Sequence, residues 1–289
     1  MEVLGMARIW VVGPSSLSSS LLKFLVLMVA VVALAACATV PGTGRSQLSL
    51  VGDSELNAMA SSQYRQMVQK GPLSTNQNDT AMIKRVGSKI SRAAEQYLKD
   101  HGLANEISSY NWEFNLIESK DANAFCMPGG KVAFYTGILP YCQGENGVAV
   151  IMGHEVAHAI AHHSRERASQ QLMTNVGGTL LSVGLGVGGA SSLTSDVAMA
   201  AYGLGSQVGI LLPYSRAHES EADRIGLYLM AMAGYNPQAA VGLWERMAAG
   251  SGKGDSDFLS THPSDQRRIA DIKKYLPEAE AIYKASSSK

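Results

Sequence analysis

The stretch His154-Glu155-Val156-Ala157-His158 sets two imidazoles four residues apart, with a carboxylate beside the first. On an α-helix such positions share one face, with Cβ atoms about 5–6 Å from each other. Two histidines so placed can reach one metal ion at roughly 2.0–2.1 Å each. Glu155 then stands one step round the helix, where it can face a water on that metal without binding the metal itself. The chemistry of such a set is metal-assisted hydrolysis with a built-in general base. Gly144 to Gly147 makes a start for the helix, with Glu145 near its positive end. Val148 to Met152 are apolar or small, as are Val156, Ala157 and Ala159 to Ala161, so the helix is a buried one. Two histidines and a glutamate buried there are costly unless each finds a partner.

A catalytic zinc takes three protein ligands and keeps one open position. The metzincin pattern would need glycine at 161 and histidine at 164, where this chain has Ala161 and Ser164. His162 and His163 fall at the wrong spacing and are expected on the exposed end of the helix. The next candidate is Glu219-Ser220-Glu221-Ala222-Asp223. At helical spacing Glu219 and Asp223 share a face, so Glu219 can bind the metal while Asp223 accepts the N–H of a ligating histidine. Glu221 points elsewhere and is expected on a solvated face.

The elements that must position these groups follow from periodicity and punctuation. Asp53 to Lys70 reads as a helix stopped by Gly71-Pro72. Asn78-Asp79-Thr80 is expected to cap a second helix, with Met82, Ile83, Val86, Ile90, Ala93, Ala94 and Tyr97 as its apolar stripe. Trp112, Phe114 and Leu116 alternate with polar residues as in a half-buried strand, and Lys131 to Thr136 reads as another after the turn Pro128-Gly129-Gly130. Arg216 to Met232 is helical; Gly234 to Pro237 ends it and starts a helix through Met247. A last helix holds Arg267, Arg268, Ile269 and Ile272. The glycine-rich stretch 176–212 is expected to form two soft helices over the active site, since neither half reaches the roughly 20 apolar residues of a membrane span.

Met1 to Ala36 reads as an export signal: Arg8 and Lys23 precede an apolar run from Phe24 that ends Leu34-Ala35-Ala36-Cys37. That ending looks like a bacterial lipobox, in which Cys37 is lipidated. Residues 37–52 are then a lipidated N-terminus and linker, and 53–289 a single catalytic domain. Cys126 and Cys142 remain, and in an oxidising compartment an even pair invites a disulfide. The formal net charge of +0 gives no electrostatic case for nucleic acid.

The motifs H-E-V-A-H and E-S-E-A-D resemble those of the gluzincin family that includes the CAAX prenyl protease, HtpX, the mitochondrial Oma protease and the periplasmic lipoproteins LoiP and BepA. Asn123-Ala124-Phe125 with Pro128-Gly129-Gly130, and His262-Pro263 with Arg268, extend the likeness over about Gln47 to Tyr275. The resemblance implies an α+β fold: a mainly helical zincin-like domain with a small antiparallel sheet beside the H-E-x-x-H helix. It implies one Zn2+ held by His154, His158 and Glu219, Glu155 as general base, and Asp223 orienting His154. Lys131 to Tyr135 would be the edge strand on which substrate lies extended. Arg268 and His262 are candidates for stabilising the oxyanion, and His262, presented from a loop by Pro263, could instead be a fourth ligand at rest. The expected function is a zinc metalloendopeptidase of misfolded envelope proteins, lipid-anchored at the periplasmic face of the outer membrane. The alternatives are a metal-binding chaperone-like lipoprotein and a membrane-embedded protease like HtpX.

Overall fold

The computed structural model describes residues 37–184, 215–250, 258, 262 and 266–287. The expected export signal and most of the glycine-rich stretch 176–212 lie outside them. The elements run β1 (Cys37–Thr39), β2 (Ser46–Leu48), α1 (Asp53–Lys70), α2 (Gln77–Asp100), β3 (Glu113–Ile117), β4 (Ala124–Met127), β5 (Lys131–Tyr135), α3 (Leu139–Cys142), α4 (Glu145–Ile160), α5 (His163–Gly184), α6 (Arg216–Met232), α7 (Ala239–Gly250) and α8 (Gln266–Ser287). Short 3-10 segments precede β3 and follow β5.

The expected apolar stripe of α2 is its buried face: Ile83, Val86, Ile90, Ala93, Ala94 and Tyr97. Its cap is Asn76, two residues earlier than expected, whose side chain accepts from the N–H groups of Asn78 and Asp79. Gly87 lets α2 lie directly on β3, since a Cβ there would stand 2.4 Å from the Phe114 ring.

The sheet is ordered β3-β5-β4, so Lys131 to Tyr135 is its central strand and not the edge. Both sides of β5 are occupied, by β3 in parallel and by β4 antiparallel, with Phe114 and Cys126 both opposite Val132. A strand paired on both sides has no backbone row left for a peptide. The edge nearest the metal helix is therefore β4. The expected antiparallel pairing holds for β4 and β5 only. Their connection, through Gly129 and Gly130, runs at φ of +79° and +81°, a conformation that favours glycine at both positions. Beneath the sheet, Tyr64 of α1 donates its hydroxyl to Val132 O at 2.6 Å and closes a small second core with Ile117, Phe125, Met127 and Ala133.

Helices α4 and α6 pack with their backbones in contact. A Cβ at Gly153 would lie 2.6 Å from Gly226 O, and one at Gly226 would lie 2.7 Å from His154 N. Helix α8 crosses the outside of α6, and the apolar residues of α2, α4, α6, α7 and α8 form one continuous core.

Two expectations are corrected here. Cys126 and Cys142 are buried free thiols, not a disulfide. Cys126 sits on β4 beside Glu155, whereas Cys142 ends α3 beside Arg246, so each sulfur is enclosed in its own surroundings. Burial pushes both thiols up, Cys142 to about 12. The residues read as a linker also fold: β1 and β2 pair, and Val40 and Gln47 are buried. Among the described residues, no helix is long and apolar enough to cross a membrane.

Candidate metal centre

Helix α4 carries His154, Glu155 and His158, and every residue from Gly147 to His158 is buried. Helix α6, capped by the Ser215 side chain on His218 N–H, brings Glu219 and Asp223 against α4. The close approach at Gly153 and Gly226 lies one residue from His154 and one helical turn from Asp223, and it fixes the distance between the two motifs.

Four buried side chains converge there: His154, His158, Glu219 and His262. His154 Nε2 lies 3.1 Å from His158 Nε2 and 3.3 Å from His262 Nδ1. Glu219 Oε1 lies 3.3 Å from His158 Nε2 and 3.0 Å from His262 Nδ1, and Glu219 Oε2 is 3.6 Å from His154 Nε2. A tetrahedral zinc with bonds of about 2.0–2.1 Å has ligand atoms roughly 3.3 Å apart. The separations lie near that edge length, with Glu219 approaching His158 and His262 by Oε1 and His154 by Oε2. Three imidazole nitrogens and a carboxylate oxygen cannot all hydrogen-bond to one another at such distances, because each neutral ring offers one donor and one acceptor. The donor set therefore fits one zinc ion, held by His154, His158 and Glu219 as expected, with His262 in the fourth place.

The groups around this set match their tasks. Burial alone would raise the Glu219 carboxyl, but the charges of His262 and Arg268 and the hydrogen bonds from His154 and His158 outweigh it and hold it well below the usual carboxylate range. Glu219 is thus ionised, as a ligand must be. Asp223 Oδ1 lies 3.0 Å from His154 Nδ1, placed to accept its N–H and leave Nε2 bare. Arg268 donates to Glu219 Oε2 at 2.9 Å and through one terminal nitrogen to Asp223 Oδ1 at 2.7 Å, while its Nε forms an ion pair with Asp223 Oδ2, and its guanidinium lies 3.4 Å over the Trp244 ring. In this arrangement Arg268 holds the two carboxylates in place.

Glu155 is not a ligand. Burial pushes its carboxyl up to about 7, against the pull of His262 and Arg268 and a hydrogen bond from the backbone N–H of Cys126. Its Oε1 is buried and without a hydrogen-bond partner among the described residues, 3.6 Å from His262 Nε2. An unpaired oxygen beside the donor set is where a general base belongs. The bond from Cys126 also ties Glu155 to the edge strand β4. Beyond the turn that follows β4, a small cleft reaches His158 between Asn57, Tyr110, Pro128 and Arg165.

Two expectations fail at this site. His163 is not on an exposed helix end: it is fully buried, 2.8 Å from His158 Nδ1. Its neighbour His162 turns away to Glu106 at 2.8 Å, with a left-handed φ of 54° between α4 and α5. Glu221 is likewise buried, because α6 is packed on several sides, and it meets His163, Arg45 and Thr43. The one available signal was the second histidine of the His162-His163 pair, five residues past His158.

Residues 80–276 match the model of a family described as peptidase family M48. The chain is 39% identical to mitochondrial metalloendopeptidase OMA1 of Schizosaccharomyces pombe over 193 residues, covering 66% of this chain and 53% of that protein. It is 35% identical to the OMA1 of Saccharomyces cerevisiae, covering 71% and 58%. Against the beta-barrel assembly-enhancing protease of Escherichia coli the identity is 27%, covering 81% and 46%. The chain thus spans about half the length of the curated relatives it matches.

Proposed function

This chain belongs to peptidase family M48, and we propose that it is a zinc-dependent endopeptidase that cuts extended segments of unfolded protein in a bacterial cell envelope. The observation that carries the reading is the pairing of a tetrahedral donor set with an unpaired Glu155 oxygen. Mere metal storage needs no such base.

Zinc bound there supplies Lewis acidity and an acidified water. Glu155, tied to β4 through Cys126 N–H, takes the proton of the attacking water at Oε1 and passes it to the leaving amine. Strand β4 offers its free edge to a substrate peptide, in place of the central β5. Main-chain pairing along an edge tolerates many sequences, which suits a protease of unfolded chains. Arg268 holds the Glu219 and Asp223 carboxylates in place. His262 stands where a fourth ligand would bind, so in this arrangement it would occupy the position that a catalytic water needs and keep the enzyme latent. The lipobox ending at Cys37 and the likeness to an Escherichia coli protease support a lipid-anchored position on the periplasmic face of the outer membrane.

Glu155→Gln tests the reading. Gln keeps the shape but cannot take a proton, so the variant should retain one zinc per chain and lose about 10²–10⁴-fold in cleavage of an unfolded reporter such as labelled casein. Activity near that of the wild type would remove Glu155 from the chemistry, and loss of zinc would make it a ligand.

A further inference from the structure

Behind His154 stands a carboxylate, Asp223. Behind His158 stands His163, and behind that a carboxylate, Glu221, neither of which the catalytic reading uses. His163 is the first residue of α5 and is fully buried. Its Nδ1 lies 2.8 Å from His158 Nδ1, and its Nε2 lies 3.2 Å from Glu221 Oε2.

The sense of these two bonds is fixed from one end. An ionised carboxylate only accepts, so His163 must present its Nε2–H to Glu221. A neutral imidazole with its proton on Nε2 has a lone pair on Nδ1. His158 then donates its Nδ1–H to that lone pair, and its own Nε2 is left bare, facing His154 Nε2 and Glu219 Oε1. That is the tautomer a metal ligand needs. Glu221 is held in turn by the N-terminal hairpin: Arg45 Nε bonds Oε2 at 2.8 Å, and the Thr43 hydroxyl donates to Oε1. The other nitrogens of Arg45 grip Glu166 at 2.9 and 2.7 Å, and Glu166 bonds His218, whose ring stacks on that of His163 with centroids 4.4 Å apart.

We propose that His163 and Glu221, anchored by Arg45 of the β1–β2 hairpin, are positioning residues that set the tautomer and aim of the zinc ligand His158. The three acidic residues of the Glu219–Asp223 stretch then divide the work: Glu219 holds the metal, Asp223 orients one histidine directly, and Glu221 orients the other through a third. The proposal rests on the zinc reading above. Wild-type protein that takes up no zinc would sink that reading, whereas variants that bind zinc as the wild type does would sink this one.

The test uses the whole chain with three substitutions. His163→Phe keeps a flat ring that neither donates nor accepts. Glu221→Gln keeps the size but presents an N–H as readily as an oxygen, so it no longer dictates the direction of the string. Glu166→Gln loosens the Arg45 anchor and His218 but leaves every donor and acceptor of the His158–His163–Glu221 string in place. Zinc affinity is read by competition with a chromophoric chelator, and ligand geometry by the d–d absorption of Co2+-substituted protein, with far-UV circular dichroism as the check on folding. His163→Phe should lower zinc affinity about 10–100-fold, the usual effect of losing an orienting partner, and shift the cobalt bands. Glu221→Gln should do part of both, and Glu166→Gln, one bond further out, clearly less than either. Should His163→Phe fail to fold, Glu221→Gln decides. Unchanged affinity and bands in the folded string variants would overturn the proposal, and so would an equal loss in Glu166→Gln.

Discussion

Gly226→Ala is the substitution whose sign separates local propensity from the architecture of the site. Gly226 sits inside α6, and in an ordinary helix interior alanine is favoured over glycine by about 0.8–1 kcal/mol. If nothing but propensity mattered, the variant would be more stable. The structure demands the opposite. The added Cβ would lie 2.7 Å from His154 N, 2.8 Å from Gly153 C and 2.9 Å from His154 Cα. An ordinary contact begins at 3.4 Å, so α4 and α6 must part by about 0.7 Å where they touch. All three neighbours are backbone atoms of α4 and cannot swing aside. Overpacking of this kind costs about 1–3 kcal/mol. For a domain of this size each kcal/mol is worth roughly 2–4 °C, so the melting temperature should fall by about 2–12 °C. The same displacement acts on the metal site, because His154 and Glu219 ride on the two helices being separated. Metal–ligand distances tolerate about ±0.2 Å, so zinc affinity should drop by at least about tenfold. Thermal melting followed by circular dichroism, with and without zinc, and chelator competition read the two effects. A variant that melts higher than the wild type and keeps its zinc would refute the argument that this crossing positions the ligands.

Asp223→Asn should weaken zinc retention about 10–100-fold, measured by the same competition, because the amide no longer obliges His154 to present a bare Nε2; unchanged affinity would reduce Asp223 to a partner of Arg268. His262→Ala should raise basal cleavage of labelled casein while zinc stays bound, since three protein ligands remain. A fall of about 10²–10³-fold would instead make His262 an oxyanion donor, and an unchanged rate would reject both roles. Cys37→Ser should move the protein from the membrane fraction to the soluble fraction of cells; continued sedimentation with membranes would exclude the lipid anchor.

What could be read from the residues was whatever has a local cause. The helices Asp53–Lys70 and Arg216–Met232 lie where they were expected, because apolar periodicity and the flanking breakers are contained within each segment. His154, His158 and Glu219 were legible because the spacing of ligands on a helix face is itself the chemistry. Strand order was not, since nothing within Lys131–Tyr135 says that β3 will pair with it in parallel across the strand between them. Glu221 was assigned to solvent because a helix with one wet face is the ordinary case, whereas α6 is enclosed by α4, α2 and α8. The string behind His158 needs residues 43–45, 163 and 221 together, and only the assembled fold supplies that neighbourhood. The lone thiols were misassigned by counting them, with no account of which elements would enclose each one.

His154 and His262 are 108 residues apart along the chain, and Glu219 and His262 are 43 apart, yet their donor atoms meet within hydrogen-bonding range. An ion shared among them is a crosslink between distant parts of the polypeptide. Closing loops of such length restricts the unfolded chain, by about 4–5 kcal/mol for a covalent bridge over roughly 100 residues. A zinc tie that holds in the native state and not in the unfolded one shifts the folding equilibrium in the same direction. A molecule stripped of its ion would therefore be loosened at α4, α6 and His262 at once. If the proposed function holds, metal content then governs two populations together: how many molecules can cut, and how many have become fit to be cut.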